Sequence, residues 1–116
     1  MGFEVSDLPT SARFYDAVLG ALGARRTLES EHGIAYGVSS PVMWIVVRGR
    51  SPGPDYGHLA LTASGKAAVD AAHAAGLASG GDCDGPPGRR PQYGSRCYAA
   101  YLRDPDGLRV EVVSRR

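Results

Sequence analysis

Among 116 residues there are only two cysteines, Cys83 and Cys97. Two are too few for the disulfide scaffold of a small secreted domain, so reduced thiols and a cytoplasmic location are the expectation. An excess of charge is missing too: thirteen Lys and Arg stand against twelve Asp and Glu, a formal net charge of +1. Phosphate affinity grows with the number of phosphates neutralised, so this near balance argues against nucleic acid as a partner. The basic pairs Arg25-Arg26, Arg89-Arg90 and Arg115-Arg116 read as solvated surface. No stretch approaches the roughly 18 consecutive apolar residues of a membrane span. The opening MGFEVSDLPTS lacks the basic patch and apolar run of a secretory signal. The glycine-rich stretch SGGDCDGPPG lacks the strand–GxGxxG–helix context of a nucleotide site. What remains is a length that suits one domain around one core.

Within it the hydrophobic spacing alternates between two periods. Residues 2–6 read as a half-buried strand. Asp7 and Pro9 then open a helix, because a carboxylate can accept from first-turn amides and a proline costs nothing there. Phe14, Val18 and Leu22, with Tyr15 and Leu19 beside them, form its buried stripe, and Gly20 or Gly23 can end it. Strands follow at 24–29, 34–38 and 42–47, and a polar Gly/Pro connection at 49–57. The order then repeats. HLALTA (58–63) reads as a strand, GKAAVDAAHAAG (65–76) as a helix capped by Ser64 and stopped by Gly76, and 78–83 as a short strand. A long connection, DGPPGRRPQYGS, leads to strands at 96–102 and 108–113 around the turn RDPDG.

Two βαβββ modules in one α+β domain are therefore expected, repeat 1 over about 1–48 and repeat 2 over about 57–114. Alternation sends Leu59, Leu61, Val110 and Val112 under the second helix and His58, Ala60, Thr62, Arg109, Glu111 and Val113 to the other face. Sheets curved together would enclose a cleft lined by that second set, the usual place for a ligand.

The segments VSDLPTSARFYDAVLGALG and YAAYLRDPDGLRVEVV, with the strand opening at His58 between them, closely resemble the vicinal oxygen chelate superfamily. That group holds glyoxalase I, the bleomycin resistance proteins and the extradiol dioxygenases. The resemblance spans essentially the whole chain and implies a cupped mixed sheet of the glyoxalase/bleomycin resistance type. It also implies a divalent metal (Zn, Ni, Mn or Fe) held by His and Glu from the first and last strands of each repeat. Residue by residue, His58 and Glu111 match the second repeat's ligands. The first repeat departs from the pattern. Its His would fall before Met1, and Trp44, whose indole is only a donor, stands in the place of its Glu.

Two functions follow from these residues. One is a glyoxalase-like metal-dependent lyase or isomerase acting on vicinal oxygens, with His58 and Glu111 on the metal and Glu111 also moving a proton. The other is a metal-free protein resembling the bleomycin resistance group, holding an aromatic or cationic small molecule against Trp44. Tyr93, Arg96 and Tyr98 are candidate ligand contacts in either case. His73 is expected to pack or lie at the surface, His32 to be solvated, and both cysteines to be buried small hydrophobes. Asp104 and Asp106 are assigned to a turn, with no metal role. A homodimer is expected, since small members of this fold usually pair and a short chain gains core by doing so.

Overall fold

The computed structural model describes residues 2–38, 41–46 and 58–115; the side chains of Phe3, Pro41, Val42 and His58 fall outside that description. The expected connection at 49–57 lies outside it, and so does Arg116. In chain order the elements are β1 (Gly2–Glu4), α1 (Leu8–Ala21), β2 (Arg25–Glu29), β3 (Gly33–Gly37) and β4 (Pro41–Val46). The second set is β5 (His58–Thr62), α2 (Lys66–Ala78), β6 (Asp82–Arg89), β7 (Tyr98–Arg103) and β8 (Arg109–Ser114). They form two four-stranded sheets with one connectivity, β1-β4-β3-β2 and β5-β8-β7-β6. In each, the first strand runs parallel to the last and the other neighbours are antiparallel. The fold is the α+β arrangement expected, with the order of elements repeated.

Local chemistry sets the ends of the helices. Asp7 caps α1, its carboxylate accepting from the Thr10 hydroxyl and from Thr10 N at 3.0 Å; the hydroxyl's bond first, then the amide's, hold the carboxyl below its usual range. The helix passes Gly20 and ends at Ala21. Ser64 is not the cap of α2. That helix begins one residue later than a Ser64 cap allows, from Gly65, with no side chain bonding its first amides. Nor does Gly76 stop it: α2 runs on to Ala78. Gly76 is instead the point where the helices touch. A Cβ there would lie 2.8 Å from Leu102 Cδ1, 3.0 Å from Val18 Cγ2 and 3.2 Å from Phe14 Cε1. Gly76→Ala gains about 1 kcal/mol of helix propensity but overpacks three buried side chains, at about 1–3 kcal/mol. A net loss of up to about 2 kcal/mol is expected, read as a lower urea midpoint with an unchanged slope.

The largest departure from expectation is β6. It occupies Asp82–Arg89, through residues read as loop, while the expected strand at 78–83 is mostly helix end and turn. Pro86 and Pro87 suggest a loop because they cannot donate to a ladder. An edge strand needs only one of its flanks paired, and β6 is the edge of its sheet. Irregular register between Cys83 and Gly85, and again between Gly85 and Gly88, takes up the misfit.

One core joins both halves. Val5, Phe14, Tyr15, Val18, Tyr36 and Ile45 of the first half meet Leu59, Val69, Leu102, Val110 and Val112 of the second. The turn aspartates fasten the same junction. Tyr15 donates its hydroxyl to Asp104 Oδ2 at 2.6 Å, Ser6 N donates to Asp106 Oδ2 at 3.0 Å, and the Ser6 hydroxyl also bonds Asp106. Arg26 is not simply solvated: its guanidinium grips Asp16 at 2.7 and 2.9 Å, and Tyr36 donates to the same carboxylate at 2.8 Å.

Candidate functional site

The face of the second sheet turned away from the helices carries a small apolar patch of Cys97, Ala99 and Val113, with Tyr101 against it. Over this patch lies a pocket of about 450 Å³ lined by Tyr93, Cys97, Tyr101, Arg109, Glu111, Val113 and Arg115. Its walls follow from strand alternation. Arg109, Glu111 and Val113 are every second residue of β8, and Val110 and Val112 between them are fully buried in the core.

Tyr101 is the centre of the site. Its Cα pairs with that of Glu111 across the β7–β8 ladder and with that of Gly85 on the other flank. Gly85 leaves the ring its space: a Cβ there would sit 2.8 Å from Tyr101 Cδ2. The guanidinium carbons of Arg109 and Arg90 lie 4.4 and 5.4 Å from the ring centroid, within range of the ring's negative face. Burial first, and then hydrogen bonding and charge from Glu111, push the Tyr101 phenol above its ordinary value. It therefore stays protonated at neutral pH beside the carboxylate. Arg109 is steadied from behind by Asp84, whose Oδ2 lies 3.4 Å from its Nε and 3.1 Å from Arg103 Nε.

Of the candidate residues, Glu111 and Tyr93 line this pocket. The side chain of His58 lies outside the described residues. Its backbone opens β5 opposite Arg109, and Glu111 pairs with Ala60. Trp44 is 38% exposed on the first sheet and is not part of the lining. Arg96 borders a smaller, basic recess with Lys66, Arg89, Ser95 and Cys97. Tyr98 faces the wrong way for a ligand in this hollow: its hydroxyl binds Asp70 of α2 at 2.7 Å and its ring packs on the main core. A signal for this was present. The turn at 104–107 pairs Ala100 with Val112 and Tyr98 with Ser114, which puts Tyr98 on the helix side and Tyr101 on the open side. Arg115, read as solvated, lines the pocket, and Arg90 stacks near Tyr101.

The donor set among the described residues does not suit a divalent ion. Among the described residues no group of three or more His, Cys, Asp or Glu side chains gathers to hold a metal, where a tight site needs about that many. Arg109 and Arg115 share the wall with Glu111, and their positive charge opposes a divalent cation there. The two halves can be aligned through equivalent crossings, Val5 N to Val46 O and Ala63 N to Val113 O, both 2.8 Å. Counting back two residues from each carbonyl sets Trp44 in the place of Glu111, as expected, and Trp44 offers a metal no lone pair.

Residues 2–112 match the model of the Glyoxalase/Bleomycin resistance protein/Dioxygenase superfamily. Among solved structures, the chain is 35% identical to a glyoxalase/bleomycin resistance protein from Albidiferax ferrireducens T118. That match covers 99% of this chain and 95% of the other, with a TM-score of 0.85. A putative glyoxalase from Bacillus halodurans matches at 25% identity over 98% and 92% of the two chains, TM-score 0.76. A lactoylglutathione lyase from Agrobacterium tumefaciens shares the fold at 22% identity, over 98% and 90% of the chains, TM-score 0.67. No curated protein matches the chain.

Proposed function

Since the chain belongs to the Glyoxalase/Bleomycin resistance protein/Dioxygenase superfamily, we propose that it is a small-molecule-binding member which takes a planar, anionic ligand on the open face of its second sheet, without a metal. What carries this reading is the company Tyr101 keeps. Two arginines, Arg109 and Arg115, and two tyrosines, Tyr93 and Tyr101, line one hollow with a single carboxylate, Glu111. The aromatic rings offer flat apolar area, and guanidinium groups match carboxylate oxygens two at a time. A volume near 450 Å³ admits a molecule of one or two fused rings. A cationic ligand, the other class expected from the sequence, would meet those two arginines first. Pairing with a second copy of the chain belongs to the same proposal, and an exposed Trp44 on the first sheet is consistent with it.

The test is calorimetric titration with a matched set: 2-naphthoate, 2-naphthylmethylammonium and neutral 2-naphthalenemethanol. Saturable binding of the carboxylate, at least about tenfold tighter than the ammonium ion, is expected from one charge-assisted contact. Equal or tighter binding of the ammonium ion would overturn the proposal.

A second reading, the glyoxalase-like metal-dependent lyase or isomerase, is favoured by one observation. Position 58 and Glu111 lie two residues out of register on directly paired strands. It requires His58 together with donors beyond the described residues. Its signature is about one divalent ion per chain, lost in His58→Ala; metal analysis of the supplemented protein decides it.

A further inference from the structure

Away from the pocket, a base and a nucleophile meet. His73, on α2, is only 7% exposed, and its Nε2 lies 3.2 Å from the Sγ of Cys83. The reversal between α2 and β6, closed by Gly81 N donating to Gly76 O at 2.9 Å, brings these residues together across ten positions of sequence. The imidazole is buried, while the thiol is exposed on the edge strand of its sheet. Cys83 was expected to be a buried hydrophobe; only Cys97 is one.

We propose that Cys83 is a thiol-modification site, with His73 as the base that accepts its proton, and that its co-reactant is a small disulfide. The S–H proton passes to His73 Nε2 and the Cys83 sulfur attacks one sulfur of the disulfide. A new S–S bond forms as the old one breaks, and the departing thiolate recovers the proton from the imidazole. Cys83 is oxidised, the disulfide is reduced, and His73 returns to its starting state. Burial pushes the His73 imidazole below its ordinary value against the opposing charge of Asp70, so it is neutral and able to accept near pH 7. The groups around it are accounted for. Asp70 of α2 also accepts from Tyr98 of β7, Arg13 of α1 donates to the carbonyl of Ala78 at 3.1 Å, and β6 supplies Cys83 itself.

The test uses a neutral disulfide, 4,4′-dithiodipyridine, which the arginines beside Cys97 do not attract, with the native full chain. One equivalent of thiolate should be released rapidly, and a second, from Cys97, only after denaturation. Cys83→Ser should remove the first equivalent. His73→Gln should slow it at least about tenfold at pH 7. Continued protection of Cys97 in that variant reports that the fold is intact. An unchanged rate in His73→Gln would overturn the proposal. If that variant loses protection of Cys97, the wild-type rate at pH 7 decides: reaction no faster than that of free glutathione also overturns it, and a faster one supports it.

Discussion

Asp104→Ala is expected to lower stability by about 3–5 kcal/mol, read as the urea midpoint of the native protein. Asp104 is 4% exposed, and its two oxygens serve three donors. Oδ2 accepts from Tyr15 at 2.6 Å, and Oδ1 accepts from the amides of Asp106 and Leu108 at 2.9 and 2.8 Å. Truncation removes the acceptor of the Tyr15 phenol and of two turn amides, at about 1–3 kcal/mol for each lost bond. Water at the turn recovers part of this, so the total falls below the simple sum. Tyr15→Phe, which leaves both amides satisfied, should cost only about 1–2 kcal/mol. The pH dependence has the opposite sense from that of a surface carboxylate. Burial, the largest influence, raises the Asp104 carboxyl despite its hydrogen bonds. The native state thus holds this proton more tightly than the unfolded chain. Its contribution is present below the ordinary carboxyl value of 3.8 and is lost as pH rises through the native value. Acid sensitivity must come from elsewhere. At Asp16 burial opposes ionisation, but the hydrogen bonds from Arg26 and Tyr36 outweigh it and hold the carboxyl low. That contribution is present above 3.8 and lost as pH falls, so Asp16→Asn should flatten the acid limb of a stability–pH curve.

Arg109→Ala should weaken 2-naphthoate binding by roughly 10- to 150-fold, the equivalent of about 1.5–3 kcal/mol for a charge-assisted hydrogen bond. The guanidinium is steadied on two sides, by the Tyr101 ring and by Asp84, so little side-chain entropy is left to lose when a ligand docks. Arg109→Lys should recover less than half of the lost free energy, because an ammonium group offers no planar fork. Tyr101→Phe separates the ring from its hydroxyl. The stacking surface stays, and Glu111, paired with residue 101 across the ladder, loses the neighbouring hydroxyl and becomes a freer negative charge beside the ligand. A modest loss for the anion and a gain for the ammonium analogue are expected from calorimetry, a reversal that general loss of structure would not produce.

Periodicity made the helices and most strands readable, because one apolar stripe under one core leaves little choice of face. Phe14, Val18 and Leu19 could hardly have been elsewhere. The edge strand β6 was hidden because proline and glycine carry the same local signal in a loop and in an irregular strand with one free flank. Its misreading spread to the site. With the strand expected at 78–83 and loop beyond it, Cys83 stands at a strand end with no view of His73, and Gly85 has no role beneath Tyr101. The pocket itself was half legible. Alternation along β8 puts Arg109, Glu111 and Val113 on the open face, and the hairpin register puts Tyr101 there rather than Tyr98. The family pattern points to His58 and Glu111 and carries no signal for the arginines. Arg115 stood at the end of a basic pair, and nothing local separates a pocket cation from a solvated one.

The most direct measurement is the 2-naphthoate titration repeated in excess chelator and again after loading with Zn, Ni, Mn or Fe, with metal content determined on the same samples. Affinity that is the same in all of them, on protein holding only traces of metal, is the expected result. Binding that appears only with a stoichiometric divalent ion would contradict a metal-free anion pocket and return the chain to the metalloenzyme reading.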